Sequence, residues 1–152
     1  MRPLFLLALF ALAPAASAQV GQGQIELSGS AAFTSAGGQT TLQLAPTIGY
    51  FLTDALEGGF ELLYVSSEGG GDYGQIGPFV AYHFGNRAAT LRPFLQAQVA
   101  ASFTDDSGIL FGGAGGVKYF FLPGGALRGQ LFVLTDGGDT QIGVLGGVSI
   151  FL

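Results

Sequence analysis

The chain has 152 residues, room for one domain, and neither cysteine nor tryptophan, so disulfide scaffolds and zinc–thiolate sites are excluded. Ten acidic residues face five basic ones with no cationic patch or stripe, which argues against a nucleic-acid partner. Only 10 % of residues are charged and mean hydropathy is +0.50, yet beyond residue 18 no apolar run approaches the about 20 residues of a spanning helix.

Residues 1–18, MRPLFLLALFALAPAASA, combine one early cation (Arg2), an apolar run over 4–13 and the small-x-small triplet Ala16-Ser17-Ala18. This is the pattern of a secretory signal cleaved after Ala18, and the run is too short for a membrane anchor. The expected mature domain is 19–152.

Eight segments then alternate with period two, separated by turn residues. The first, 24–35, sets Ile25, Leu27, Gly29, Ala31 and Phe33 against Gln24, Glu26, Ser28, Ser30 and Thr34. The second, 41–52, sets Leu42, Leu44, Pro46, Ile48, Tyr50 and Leu52 against Thr41, Gln43, Ala45, Thr47 and Gly49. In the third, 55–67, Leu56, Phe60, Leu62 and Tyr64 oppose Glu57 and Glu61; in the fourth, 73–84, Ile76, Pro78, Val80, Tyr82 and Phe84 oppose Gln75, Gly77, Ala81 and His83. The fifth, 90–103, carries Leu91, Leu95, Val99 and Phe103 on one face and Arg92, Gln96, Gln98 and Ser102 on the other. A hairpin over 109–135, turning at Pro123-Gly124-Gly125, supplies the sixth and seventh, with Lys118, Arg128 and Gln130 on the less apolar face. The eighth, 140–152, presents Ile142, Val144, Val148, Ile150 and Leu152.

One face of nearly every segment is thus aliphatic and aromatic, and the other is glycine, alanine, amide and charge. The simplest solvent for so continuous an oily face is lipid. With no spanning helix, the remaining spanning structure is a closed barrel whose backbone groups pair between strands. Segment lengths suit a tilted crossing of about 9–11 residues, and eight is an even number. Proline cannot donate to a ladder. Pro93, near a segment end, is tolerable, whereas Pro46 and Pro78 are mid-segment and predict local bulges.

The phrases APTIGYFLTDAL (45–56), VAYHFGN (80–86) with LRPFLQAQV (91–99), and GGAGGVKYFFLPGGALRGQLFV (112–133) resemble the small eight-stranded outer-membrane barrels: the opacity-protein, outer-membrane protein X and outer-membrane protein A transmembrane-domain group. The resemblance covers the whole mature chain. It implies an all-β, eight-stranded antiparallel up-and-down transmembrane β-barrel, preceded by a cleavable signal peptide, in the bacterial outer membrane. It further implies both termini and the even-numbered turns in the periplasm, and a last-strand signal read by the barrel-assembly machinery. Gly147, Ile150, Phe151 and Leu152 stand at that signal, with Leu152 where an aromatic is usual and Leu145 where a polar residue is usual. Tyr50, Tyr82, Phe84, Tyr119 and Phe121 then fall at periplasmic strand ends, and Phe33, Tyr64, Tyr73, Phe103 and Phe111 nearer the outer ends, as two aromatic girdles.

The charges on the less apolar face are Glu26, Glu57, Glu61, Arg92, Lys118 and Arg128, three of each sign, with His83 beside them. Counting back across the turns sets His83 opposite Arg92 and Lys118 opposite Arg128. Eight strands enclose only enough space for side chains, and buried charges there must pair. A neutral ionic plug is expected, with the acids of strands one and three reaching across the lumen. The other reading is a gated ion path.

Hydrolysis would need a nucleophile beside a base, but no serine lies two residues from His83, the only histidine, and no serine–histidine pair shares the outer rim. No catalytic, cofactor or metal site is assigned. The outer turns hold Glu68, Asp72, Asp105, Asp106, Asp136 and Asp139 without a cation. These are ordinary turn residues that could also bridge to anionic lipid through Ca²⁺ or Mg²⁺. A secreted lipocalin-like barrel would need the reverse parity. The expected function is a non-enzymatic integral barrel with a filled lumen, serving envelope structure or surface interaction, with a monomer favoured. A narrow pore comes next and a lipid A-modifying enzyme third.

Overall fold

The computed structural model describes residues 20–36, 39–103 and 108–152. The expected signal, the tip of the first turn and the rim acids Asp105 and Asp106 lie outside the described residues. Eight strands follow in order: β1 (Ile25–Ala36), β2 (Gln39–Phe51), β3 (Leu56–Ser67), β4 (Tyr73–His83), β5 (Leu91–Ser102), β6 (Ile109–Leu122), β7 (Gly125–Thr135) and β8 (Thr140–Phe151). Each pairs antiparallel with its chain neighbour, and β1 pairs with β8. The sheet therefore closes on itself, with Glu26–Ala31 of β1 paired to Gly146–Phe151 of β8, and most of the strand backbone is paired within the wall.

Side-chain parity is inverted relative to a water-soluble barrel. β5 alternates strictly between exposed and buried residues, with Leu91, Leu95 and Val99 outside and Arg92, Phe94, Gln96 and Gln98 inside. Leu131 and Val144, paired across β7 and β8, are 50 % and 66 % exposed, while Glu57 and Lys118 are each 1 % exposed. One correction falls on the outer girdle: Tyr73 shares the inward parity of Gln75 and bonds inside the barrel mouth.

No bulge forms at either mid-strand proline. Pro46 keeps its place opposite Gly29, while the pairing of β2 to β3 skips Ala45 and Pro46 and resumes in unchanged register at Thr47–Glu61. Pro78 likewise stays opposite Phe60, and the pairing of β4 to β5 skips Gly77 and Pro78. A missing N–H thus costs one rung on one flank and leaves the other flank intact. The shift seen between Phe120 and Leu122 lies beside the β6–β7 turn.

The lumen is layered. The base, at the connections 52–55, 84–90 and 123–124, is filled by Val20, Phe51, Phe120, Ala126 and Phe151. Toward the rim, at connections 68–72 and 136–139, the filling is Ala45, Leu63, Val65, Leu110, Ala114, Phe132, Leu134 and Leu145. The sequence reading of the inner face as small and ionised omits these large apolar residues. Inward glycines make room for large groups at several levels of the lumen. A Cβ on Gly116 would strike the Phe94 ring, one on Gly143 the Phe132 ring, and one on Gly49 the Glu57 carboxylate.

Candidate functional site

The charges sit between the two apolar layers. Inward parity brings Glu26 from β1, Glu57 and Glu61 from β3, His83 from β4, Arg92 from β5, Lys118 from β6 and Arg128 from β7 into the lower lumen, each at most 7 % exposed. On the wall itself the cations are neighbours: Lys118 faces Arg92 on one side and Arg128 on the other. Their counter-charges come from across the lumen. Lys118 Nζ bonds Glu26 Oε2 and lies 3.3 Å from Glu57 Oε2. Ser149 donates to the other Glu26 oxygen at 2.7 Å, and His83 Nε2 meets Glu57 Oε2 at 2.8 Å.

His83 is not opposite Arg92. Its partner on β5 is Phe94, because the connection 84–90 adds residues that a tight turn would not. Arg92 consequently turns toward the base, donating to the carbonyls of Val20 at 3.0 Å and Asp54 at 2.7 Å. Arg128 is held mainly by neutral acceptors, Ser28 at 3.1 Å, Gln96 at 3.0 Å and Gln130 at 2.7 Å. Its acids are more distant, Glu26 at 3.9 Å and Glu61 at 4.0 Å. Glu61 also accepts from Thr47 at 3.4 Å, so it is the loosest acid of the set.

Aromatic faces complete the cation sites. Lys118 Nζ is 5.4 Å from the Phe94 centroid, 5.8 Å from Phe51 and 5.7 Å from Phe151, and the Arg128 guanidinium is 4.9 Å from Phe94. Ring quadrupoles strengthen such contacts when water is excluded. Phenylalanine at inward parity was the available signal for these groups. No sequence signal marks Val20, which is fully buried at the base. The assembly-signal positions divide by parity: Ile150 and Leu152 face out, whereas Phe151 closes the base. A Cβ on Gly147 would collide with the Gly29 carbonyl of β1, so the β8–β1 closure needs glycine there.

A second feature opens at the rim. A cavity of about 440 Å³ is lined by Asp72, Tyr73, Gln75, Asp136, Asp139 and Gln141 among others. Tyr73 Oη and Gln75 Nε2 both donate to Gln141 Oε1 at 3.1 Å. Hydrogen bonds from Ser66 and Tyr64 hold the Asp72 carboxyl below its ordinary range, and the Gly138 and Asp139 amides, each at 2.8 Å, do the same for Asp136. Among the described residues, no three acidic or histidine side chains gather as a metal site.

No family model and no curated protein matches the chain. Solved structures do. The chain is similar to the N-terminal β-barrel domain of Pseudomonas aeruginosa OprF, with a TM-score of 0.70, 20 % identity and coverage of 87 % of this chain and 99 % of that one. It is similar to Neisserial surface protein A, with a TM-score of 0.63, 17 % identity and coverage of 84 % and 95 %. A de novo designed transmembrane β-barrel follows, with a TM-score of 0.55, 14 % identity and coverage of 86 % and 97 %. At these identities the likeness is one of architecture, and the chain has the closed eight-stranded antiparallel fold of the small outer-membrane barrels.

Proposed function

We propose that the protein is a non-enzymatic integral barrel of the bacterial outer membrane, multi-pass, with a sealed lumen, serving envelope structure or short-range surface contact. What carries the proposal is the inversion of parity: a continuous aliphatic outer wall around a side-chain-filled interior in which Lys118, Glu26 and Glu57 pair beneath an apolar layer. Lipid is the solvent that stabilises such a wall, and charges that cross-link the lumen stabilise a filled barrel. The connections of the rim are short, 68–72 and 136–139, which favours an envelope role over a large adhesive surface. Leu152, Ile150, Phe151 and Gly147 would form the part of β8 engaged by the assembly machinery.

Three measurements on the full precursor expressed in a Gram-negative host test it together. Fractionation is expected to find the protein in the outer membrane, and unboiled samples to migrate differently from boiled ones on SDS gels. Refolded protein in planar bilayers is expected to be silent. Discrete conductance steps would replace the sealed lumen with a narrow conduit, and altered lipid A mass on expression would replace it with an enzyme.

A further inference from the structure

The wall of the barrel is not evenly hydrogen bonded, and both of its mid-wall interruptions border one hairpin. β3 and β4 pair without a break from Leu56–Tyr82 to Val65–Tyr73. On the β2 flank of that hairpin the ladder lapses between Leu44–Tyr64 and Thr47–Glu61, and on the β5 flank between Ile76–Ala101 and Phe79–Gln98. Pro46 and Pro78, which cannot donate, set the two gaps. Both gaps lie beside the level of Glu61, whose wall neighbours are Thr47 and Gly77.

Below the gaps the hairpin is firmly anchored, Glu57–Glu61 to Thr47–Phe51 and Phe79–His83 to Phe94–Gln98. Above them the β5 flank is joined at Ile76–Ala101 and Gln75–Ser102, with the Phe103 amide donating to the Gly74 carbonyl at 3.0 Å. From inside, the rim half is fastened across the full width of the lumen, because β4 and β8 stand four strands apart in a ring of eight. Tyr73 Oη and Gln75 Nε2 both donate to the one oxygen Gln141 Oε1, each at 3.1 Å. Beneath that fastening Leu63 and Val65 share the upper apolar layer with Leu110, Leu134 and Leu145.

We infer that the rim half of the β3–β4 hairpin, residues 62–76, is a latched lip of the wall. It swings from its neighbours at the Pro46 and Pro78 gaps when Tyr73 and Gln75 leave Gln141. The opening is lateral and joins the apolar upper lumen to the apolar outer wall, while the half of the hairpin below the gaps stays anchored. The inference rests on the closed barrel and not on where the barrel resides.

Amide hydrogen exchange of the refolded full mature chain in detergent tests it. The Tyr64 and Ile76 amides point at the two flanks, by the two-residue alternation that the Leu52–Leu56 and Phe84–Pro93 bonds fix. They are expected to exchange at least about tenfold faster than Gly113 and Val133, comparably near the rim on the unbroken part of the β6–β7 ladder. Gln141→Leu removes the latch and is expected to speed Tyr64 and Ile76 by a further factor of about ten, and Tyr73→Phe by about five, with Gly113 and Val133 unchanged. Ile76→Cys with Ala101→Cys places a cysteine pair directly across the β4–β5 seam of a chain that has none of its own. Its oxidation is expected to cancel the effect of Gln141→Leu and its reduction to restore it. Heat-dependent gel mobility certifies that a variant is folded, and Tyr73→Phe carries the test should Gln141→Leu not fold. Equal exchange at the four amides, acceleration spread evenly round the barrel, or an oxidised pair that leaves the Gln141→Leu exchange unaltered overturns the lip.

Discussion

Lys118 is the residue on which the lower lumen converges. Two carboxylates and three aromatic rings surround its ammonium, arginines stand opposite it on both adjacent strands, and it is 1 % exposed. Replacing it with methionine keeps most of the volume but leaves Glu26 and Glu57 without their shared cation. An uncompensated buried charge costs about 3–5 kcal/mol, so Lys118→Met is expected to lower barrel stability by that amount. Glu61 makes a useful contrast. Its contacts are long, 3.4 Å to Thr47 and 4.0 Å to Arg128, and Glu61→Gln is expected to cost about 1 kcal/mol or less. Adding Glu26→Gln to Lys118→Met should recover part of the loss, since it removes one stranded charge. Urea unfolding from lipid vesicles reads all three. Equal losses for Lys118→Met and Glu61→Gln would mean that the layer is held by packing and not by charge pairing.

At the scale of elements, alternation made the eight strands and their inner and outer faces legible, and the short turn at Pro123-Gly124-Gly125 made the Lys118–Arg128 register legible. Three things were not. Where both faces are apolar, as in Leu62–Val65 or Leu131–Leu134, no contrast in hydrophobicity marks Leu63, Val65, Phe132 and Leu134 as the filling of the upper lumen, although strand parity turns them inward. The β4–β5 register depends on the conformation of 84–90, which no periodicity encodes. The segment 20–24 has no periodicity at all, yet it forms a cork: Val20 is buried among Phe51, Phe120, Ala126 and Phe151, and Gly23 donates to Phe51 at 2.9 Å. Arg92 clamps that cork by bonding the Val20 and Asp54 carbonyls. Arg92→Ala is therefore expected to release residues 20–24 selectively. Amide exchange at Gln22 and Gly23 should speed by about tenfold or more, as loss of two charge-assisted bonds implies, while the strand amides keep their protection. Uniformly faster exchange around the barrel would make Arg92 a general strut instead of a clamp.

The whole molecule depends on which solvent its outer wall meets. In water the exposed Leu131, Val144, Ile142 and their neighbours would form one apolar surface far beyond what soluble monomers tolerate. In hydrocarbon the same surface is the low-energy one, and the cost moves to any charge placed on it. That cost depends on depth: an arginine facing lipid destabilises by about 2–4 kcal/mol near the bilayer midplane and about 0–1 near the interface. Leu131 lies mid-strand in β7 and is 50 % exposed, while Thr140 is exposed at the rim end of β8. Leu131→Arg is expected to lose about 2–4 kcal/mol and Thr140→Arg about 0–1 in vesicle unfolding. A water-facing wall would instead tolerate both to within about 0.5 kcal/mol, as surface substitutions generally are. The difference between the two variants thus measures the environment directly, since both add the same side chain to the same face of adjacent strands. A depth-independent result would remove lipid from around the barrel, and with it the physical reason for an interior built of paired charges.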